Sequence, residues 1–193
     1  MASFVANGHE FHLYCYEEPE SDLPEGVVIC DARDVLPPSW ECRDSRGSLS
    51  GFANLFRYKL LYERGGWWVD MDIICVSPFD FADEYVFALE PDRTIGNDVI
   101  RVPPESDVMQ YAWDRSRRYG PRPWPVPRKR MPWGAVGPSL FAEAVNACDR
   151  SAHAVAPEVF NPIDWPDWES VLGSGPPVRL KKETKSVHLW NAM

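Results

Sequence analysis

Two aspartates, Asp70 and Asp72, stand one residue apart at the end of the apolar run Trp67-Trp68-Val69. On a regular strand, residues two apart face the same side, so both carboxylates would serve one hard cation and whatever that cation holds. Oxygen ligands suit Mg²⁺ or Mn²⁺, which would bridge a diphosphate and stabilise the charge that builds on a leaving nucleotide. Alone, the triplet is weak, because a chain rich in aspartate holds one D-x-D about once by chance and it then reads as a solvated strand end. Its surroundings decide.

Other side chains each carry two readings. His188, at the end of the last predicted strand, is a third metal ligand or phosphate contact, or a partly buried strand histidine. Lys181, Lys182 and Lys185 would reach a diphosphate, or form a solvated basic loop. His9 and His12 lack the H-E-x-x-H pattern of zinc enzymes and imply no metal. Alternation lets only one of Trp67 and Trp68 face a site or stack on a base, and the other packs in the core. Trp124, Trp165 and Trp168 offer sugar-stacking faces or ordinary packing. Arg128-Lys129-Arg130 would attract an anionic acceptor, a partner or a membrane surface for peripheral contact, or serve solubility.

The elements that must position these groups follow from the pattern. Ser3–Asn7 reads as a helix end capped by Gly8, then strands run over 11–16 and 27–30, with a brief helix over 31–36 stopped by Pro37-Pro38. A helix capped by Ser48 or Ser50 runs to about Arg64, with Phe52, Phe56 and Leu60 on one stripe and Gly65-Gly66 ending it. Trp67–Val76 reads as one strand. Further strands are predicted over 85–89, 98–102, 154–160 and 186–190, and helices over 106–119 and 139–148. The proline-rich stretch 120–132 reads as an extended surface loop. The sum is an α/β fold with a mostly parallel sheet flanked by helices, whose ligands lie beyond the carboxyl ends of strands.

With 193 residues the chain suits one domain, 1–193, and its nine tryptophans exclude a disordered polyelectrolyte, while nineteen prolines imply long loops. A net charge of −9 argues against nucleic acid, which needs a basic surface to displace counterions, yet allows a metal-bridged phosphate ligand. Five scattered cysteines without a C-x-x-C pair read as free thiols. With no apolar run near twenty residues, the expected location is cytoplasmic.

The stretch from Asn54 through Arg57 and Tyr58 to Gly65-Gly66 and Asp70-Met71-Asp72 resembles glycosyltransferase family 32, the sugar-binding region containing a DXD motif. That pattern is a helix bearing S-D-x-x-R-Y, then L-Y-x-x-G-G, an aromatic, and D-x-D. Later pieces are similar in order: Gly96-Asn97-Asp98 falls at an Asn-Asn pair, Trp133 to Gly137-Pro138 at a W-x-x-x-G-P turn, Phe160 to Trp165 at F-x-P-x-x-W, and His188 to Trp190 at H-x-W.

The resemblance implies a GT-A-like fold and transfer of a hexosyl group, with retention, from a UDP- or GDP-sugar to a glycan or other hydroxyl acceptor in cell-surface or capsular synthesis. It implies catalytic roles for Asp70, Asp72 and Arg57; donor binding by Asn54, Arg57, Asp70, Trp68 and Gly66; and acceptor contacts at Asn97, Asp98 and Gly137. The metal, Mn²⁺ or Mg²⁺, would be held by Asp72, Asp70 and His188. Asn54 stands where relatives have Asp, on the same helix face as Arg57, and brings an amide without charge. The family's first strand, of the type I-P-K-x-I-H-Q-x-W, would precede Ser3 and is not seen. Its loss would expose a sheet edge and favour a homodimer, and makes a truncated, weak or inactive sugar-nucleotide-binding relative the alternative. A minor alternative, a haloacid-dehalogenase-like phosphohydrolase, wants Thr or Val where Ile74 stands.

Overall fold

The computed structural model describes residues 1–122, 127, 129–173 and 179–190. In chain order the elements are α1 (Ala2–Ala6), β1 (Phe11–Cys15), β2 (Val27–Asp31), α2 (Ser50–Arg64), β3 (Gly66–Val69), β4 (Ile73–Cys75), β5 (Val86–Leu89), β6 (Ile95–Val102), α3 (Asp107–Ser116), α4 (Pro138–Ala147), β7 (Ala154–Val155), α5 (Pro157–Phe160) and β8 (Ser186–His188). Single 3-10 turns lie between them, and a longer 3-10 segment spans Trp165–Leu172. Among the described residues, no helix is long and apolar enough to cross a membrane. All five cysteines are free.

The α/β class stands, but the sheets are mixed where a mostly parallel sheet was expected. The central sheet has the order β3-β6-β5-β7, and only β5 and β7 run parallel in it. The cause is local: β5 and β6 are joined by the short loop 90–94, closed by Glu90 N–H donating to the Thr94 carbonyl at 2.9 Å, and a connection that short returns antiparallel. β1 and β2 form a separate parallel pair, and β4 pairs antiparallel with β8.

The expected strand over 67–76 is two strands in different sheets. Asp70, Met71, Asp72 and Ile73 form a turn closed by Ile73 N–H donating to the Asp70 carbonyl at 3.1 Å. The segment 154–160 also divides, because Pro157 suits the first position of a helix and opens α5.

The central sheet is buried on both faces, as strand alternation requires. Phe87, Ile100 and Val102 point into a core with α2, α3 and α4, where Leu55, Tyr58, Leu61, Met109 and Phe141 lie. Val86, Ala88 and Val99 point the other way, against Phe4, Phe79 and Phe160. Trp67 joins that second cluster, its ring 5.0 Å from Phe79, while Trp68 packs against the helical one. The Gly65-Gly66 pair makes the sharp return from α2 to β3. Gly65 has φ +62°, and a Cβ there would stand 2.5 Å from the Pro104 nitrogen.

Candidate functional site

α2 ends beside β3, and one turn of helix sets the site's anchor. Arg57 lies on the buried face of α2, with its own exposure only 5%. A guanidinium so buried needs acceptors on several sides. One nitrogen donates to Asp70 Oδ1 at 2.5 Å, another donates to the Asn97 carbonyl, and the plane lies 4.7 Å from the Trp68 ring centre. Trp68 Nε1 donates to the same Asp70 oxygen at 2.7 Å. Asp70 is therefore fixed by two donors from two elements. Asn97 Nδ2 donates to Asn54 Oδ1 at 2.9 Å, which places Asn54, Arg57, Asn97 and Asp70 in one network. Gly137 is buried beside it, and its carbonyl accepts from Tyr58 Oη at 3.3 Å.

The turn sends the second aspartate elsewhere. Asp72 Oδ2 lies 3.2 Å from His188 Nε2, brought near by the register of β4 with β8, in which Ile73 opposes His188. His188 stacks on Trp190 at 4.1 Å between ring centres, and Trp190 Nε1 donates to the Ile163 carbonyl at 2.8 Å. On its other side, His188 Nδ1 is 3.8 Å from Asp98 Oδ2, which accepts from Asn161 Nδ2 at 3.0 Å.

The charges of this second network pull against burial. Burial alone would lower the His188 pKa, but hydrogen bonding to Asp72 and the nearby Asp98 and Asp70 carboxylates outweigh it and raise it. Asp98 is raised by its own burial, against the opposing help of His188 and Asn161. Glu90 is raised too, first by burial and then by Asp98 and Asp92. Three carboxylates and an imidazole thus share a partly dry region, an arrangement suited to cationic or proton-sharing chemistry.

Of the residues singled out from the sequence, the structure gathers Asn54, Arg57, Trp68, Asp70 and Asn97 into one cluster and Asp72, Asp98 and His188 into a second. These meet where the Asp70 N–H donates to the Asp98 carbonyl at 2.9 Å. Gly66 stands apart, at the opposite end of β3 from Asp70, about 13 Å away at the usual strand rise. Asn97, Asp98 and Gly137 are all buried. Lys181 pairs with Glu158 at 3.0 Å and Lys185 with Asp80. Trp165 is half exposed, while Trp124 and Arg128 lie outside the described residues. Asn161 escaped the sequence reading, since nothing in its neighbourhood announces a partner sixty-three positions away.

Beside this constellation runs a groove of about 730 Å³, walled by Phe11, Leu13, Phe52, Phe56, Trp67 and Trp68. It separates β1 from β3, each of which pairs on one side only. Among the described residues, no group of three or more His, Cys, Asp or Glu side chains forms a ready cage for a metal. What exists is a pair. Asp72 Oδ2 and His188 Nε2 are spaced close to the roughly 3 Å that separates neighbouring ligands of an octahedral ion with bonds near 2.1 Å.

Residues 34–88 match the family model described as "Glycosyltransferase sugar-binding region containing DXD motif". The match holds Asn54, Arg57, Trp68, Asp70 and Asp72, and ends before Asn97, Asp98 and His188. No curated protein matches the chain. Among solved structures, "PaToxG Glycosyltransferase" is similar at a TM-score of 0.45 and 18% identity, covering 63% of this chain. This chain spans 47% of that one. The family match sets the phosphohydrolase alternative aside. Over residues 34–88 the chain is similar to the sugar-binding region of DXD-containing glycosyltransferases.

Proposed function

We propose that the protein moves a hexosyl group, with retention, from a UDP- or GDP-sugar to an acceptor hydroxyl in cell-surface or capsular glycan synthesis, within a GT-A-like fold. The observation that carries this reading is the adjacency of two tied clusters: Arg57 with Asp70 and Trp68, and Asp72 with His188. The first suits the donor sugar. Asp70 Oδ1 is held by Arg57 and Trp68, so the carboxylate is pre-set to accept hydroxyl hydrogen bonds without reorganising. The aromatic groove ending at Trp68 suits the nucleoside, because it offers apolar faces for a base beside convergent polar groups.

Asp72 and His188 would hold Mn²⁺ or Mg²⁺, with diphosphate oxygens and water completing the shell, as such ions prefer. Once bound, the ion supplies neutralisation of the charge on the leaving diphosphate. Without it, a proton on His188 serves the same contact with Asp72, consistent with the raised affinity of that imidazole for protons.

In the transfer, the bond from the anomeric carbon to the diphosphate oxygen breaks and one from the acceptor oxygen forms on the same face. The acceptor proton passes to the departing diphosphate. Same-face attack is favoured because Asp70 is engaged by Arg57 and Trp68, Asp72 by His188, and Asp98 is buried and accepts from Asn161. None is presented as a free nucleophile below the sugar, which double displacement would require.

Titration calorimetry with Mn²⁺ and a panel of UDP- and GDP-sugars tests the reading, with Asp72→Ala as control. Metal-dependent nucleotide binding that Asp72→Ala abolishes is expected. Its absence overturns the proposal, and binding without sugar release or transfer would instead favour a sugar-nucleotide-binding relative.

A further inference from the structure

A second pocket, of about 450 Å³, opens on the side of the molecule formed by the β5–β6 loop, α5 and the 3-10 segment after it. Its walls carry Arg93 and Arg179 as donors, Glu158, Asp164 and Asp167 as acceptors, and Pro91, Pro157 and Pro162 as flat apolar faces. A mixed set of this kind fits a saccharide: each hydroxyl both donates and accepts, and the C–H face of the ring packs on apolar surface. It does not fit a strongly anionic group, because the acidic side chains outnumber the arginines.

The pocket is tied to the second cluster by two separate links. Asn161 lines it and donates to Asp98 Oδ2 at 3.0 Å, while its own Oδ1 lacks a hydrogen-bond partner. Ile163 also lines it, and its carbonyl holds Trp190, the residue stacked on His188. The wall of the pocket and the support of His188 are therefore the same short segment, residues 161–163.

Arg93 supplies an independent sign. It sits at φ +67° in the loop 90–94, where its N–H donates to the Glu90 carbonyl at 2.8 Å. That is the left-handed position of a short hairpin loop, where glycine is the favoured residue and a long side chain is strained. Strain kept at a pocket wall points to use of the side chain.

We propose that this pocket is the acceptor subsite, that it takes a neutral saccharide, and that Arg93 is a specificity-determining residue for it. This rests on the transferase reading given above, but its test needs neither donor nor metal, so the two stand or fall separately. The whole protein would be titrated with methyl glycosides of glucose, galactose, mannose and N-acetylglucosamine, followed by backbone amide NMR shifts. At least one glycoside is expected to move Thr94, Ile163 and Asp164 together. Arg93→Gly suits φ +67° better than arginine, so the variant should melt no lower than the parent while its affinity for that glycoside falls roughly tenfold or more, the usual loss for a charged hydrogen bond. Shifts that gather elsewhere, shifts that Arg93→Gly leaves unaltered, or no shifts with any of the four glycosides would overturn the proposal.

Discussion

Two carboxylate clusters in this molecule are built on opposite terms. At the start of α3, Asp107 accepts from Tyr85 Oη at 3.0 Å, from the Val108 N–H at 2.9 Å, and from Arg150 at 2.9 and 3.2 Å. Both carboxylate oxygens there have partners. At the site, Arg57 Nε, Asp98 Oδ1, Asn161 Oδ1 and His188 Nδ1 are all buried and unpartnered, and among the described residues only Asp44 Oδ2 joins them. Buried polar atoms without partners cost stability, so they persist where something other than the fold uses them. The first cluster locks α3 to the segment after α4. The second keeps hydrogen-bonding capacity in reserve, and that difference locates function better than the acidic residues themselves do.

The largest break in this comparison should come from Arg57→Ala. It leaves Asp70 Oδ1 with only the Trp68 donor and the Asn97 carbonyl without its guanidinium partner in a nearly dry place, so unfolding in urea should show a loss of about 3–5 kcal/mol. Arg57→Lys should recover part of the stability and little donor binding, because an ammonium cannot make the forked contact. An Arg57→Ala protein as stable as the parent would show the Arg57–Asp70 pair to be as dispensable as a surface pair.

Next comes His188→Ala, which removes half of the expected metal pair. Calorimetry of Mn²⁺ in the presence of a nucleoside diphosphate should show affinity reduced by about 10- to 100-fold. An unchanged Mn²⁺ affinity would assign the second cluster to structure alone. Asp98→Asn separates the two roles further. Burial raises the carboxyl's proton affinity, so the neutral amide should stabilise the fold by about 1 kcal/mol, seen as a melting point higher by roughly 2–4 °C. Sugar transfer should fall, since His188 loses a neighbouring charge. A variant both less stable and fully active would reverse the reading of Asp98.

Much of this was legible in the sequence, and the rest was hidden for physical reasons. The helix over 50–64 and its double-glycine exit follow from local spacing, because i, i+4 stripes and glycine returns are determined by neighbours. The turn at 70–73 was not, since Trp67 to Val76 has the composition of one strand. Only tertiary pairing of β3 with β6 and of β4 with β8 breaks it. That break divides the two aspartates between Arg57 and His188, where alternation had put both on one cation. Asn161 and the pocket at Arg93 depend on segments far apart in the chain. No local pattern marks them.

The smallest effect belongs to the satisfied cluster, and pH exposes it. Burial pushes Asp107 upward, but Arg150, Tyr85 and the Val108 amide outweigh it, so its folded pKa lies below the ordinary value. A depressed carboxylate stabilises the fold above its unfolded pKa, near pH 4, and that contribution is lost as pH falls through the lower folded value. Both partners are more than a third exposed, so solvent screening keeps the effect below about 1 kcal/mol. Asp107→Asn should therefore unfold more easily than the parent at pH 7, with the gap closing as pH drops below 4 and donor binding unaffected throughout. A gap that persists in acid would mean that the lost hydrogen-bond geometry, rather than charge, holds α3 in place. The contrast with the site would then rest on geometry alone.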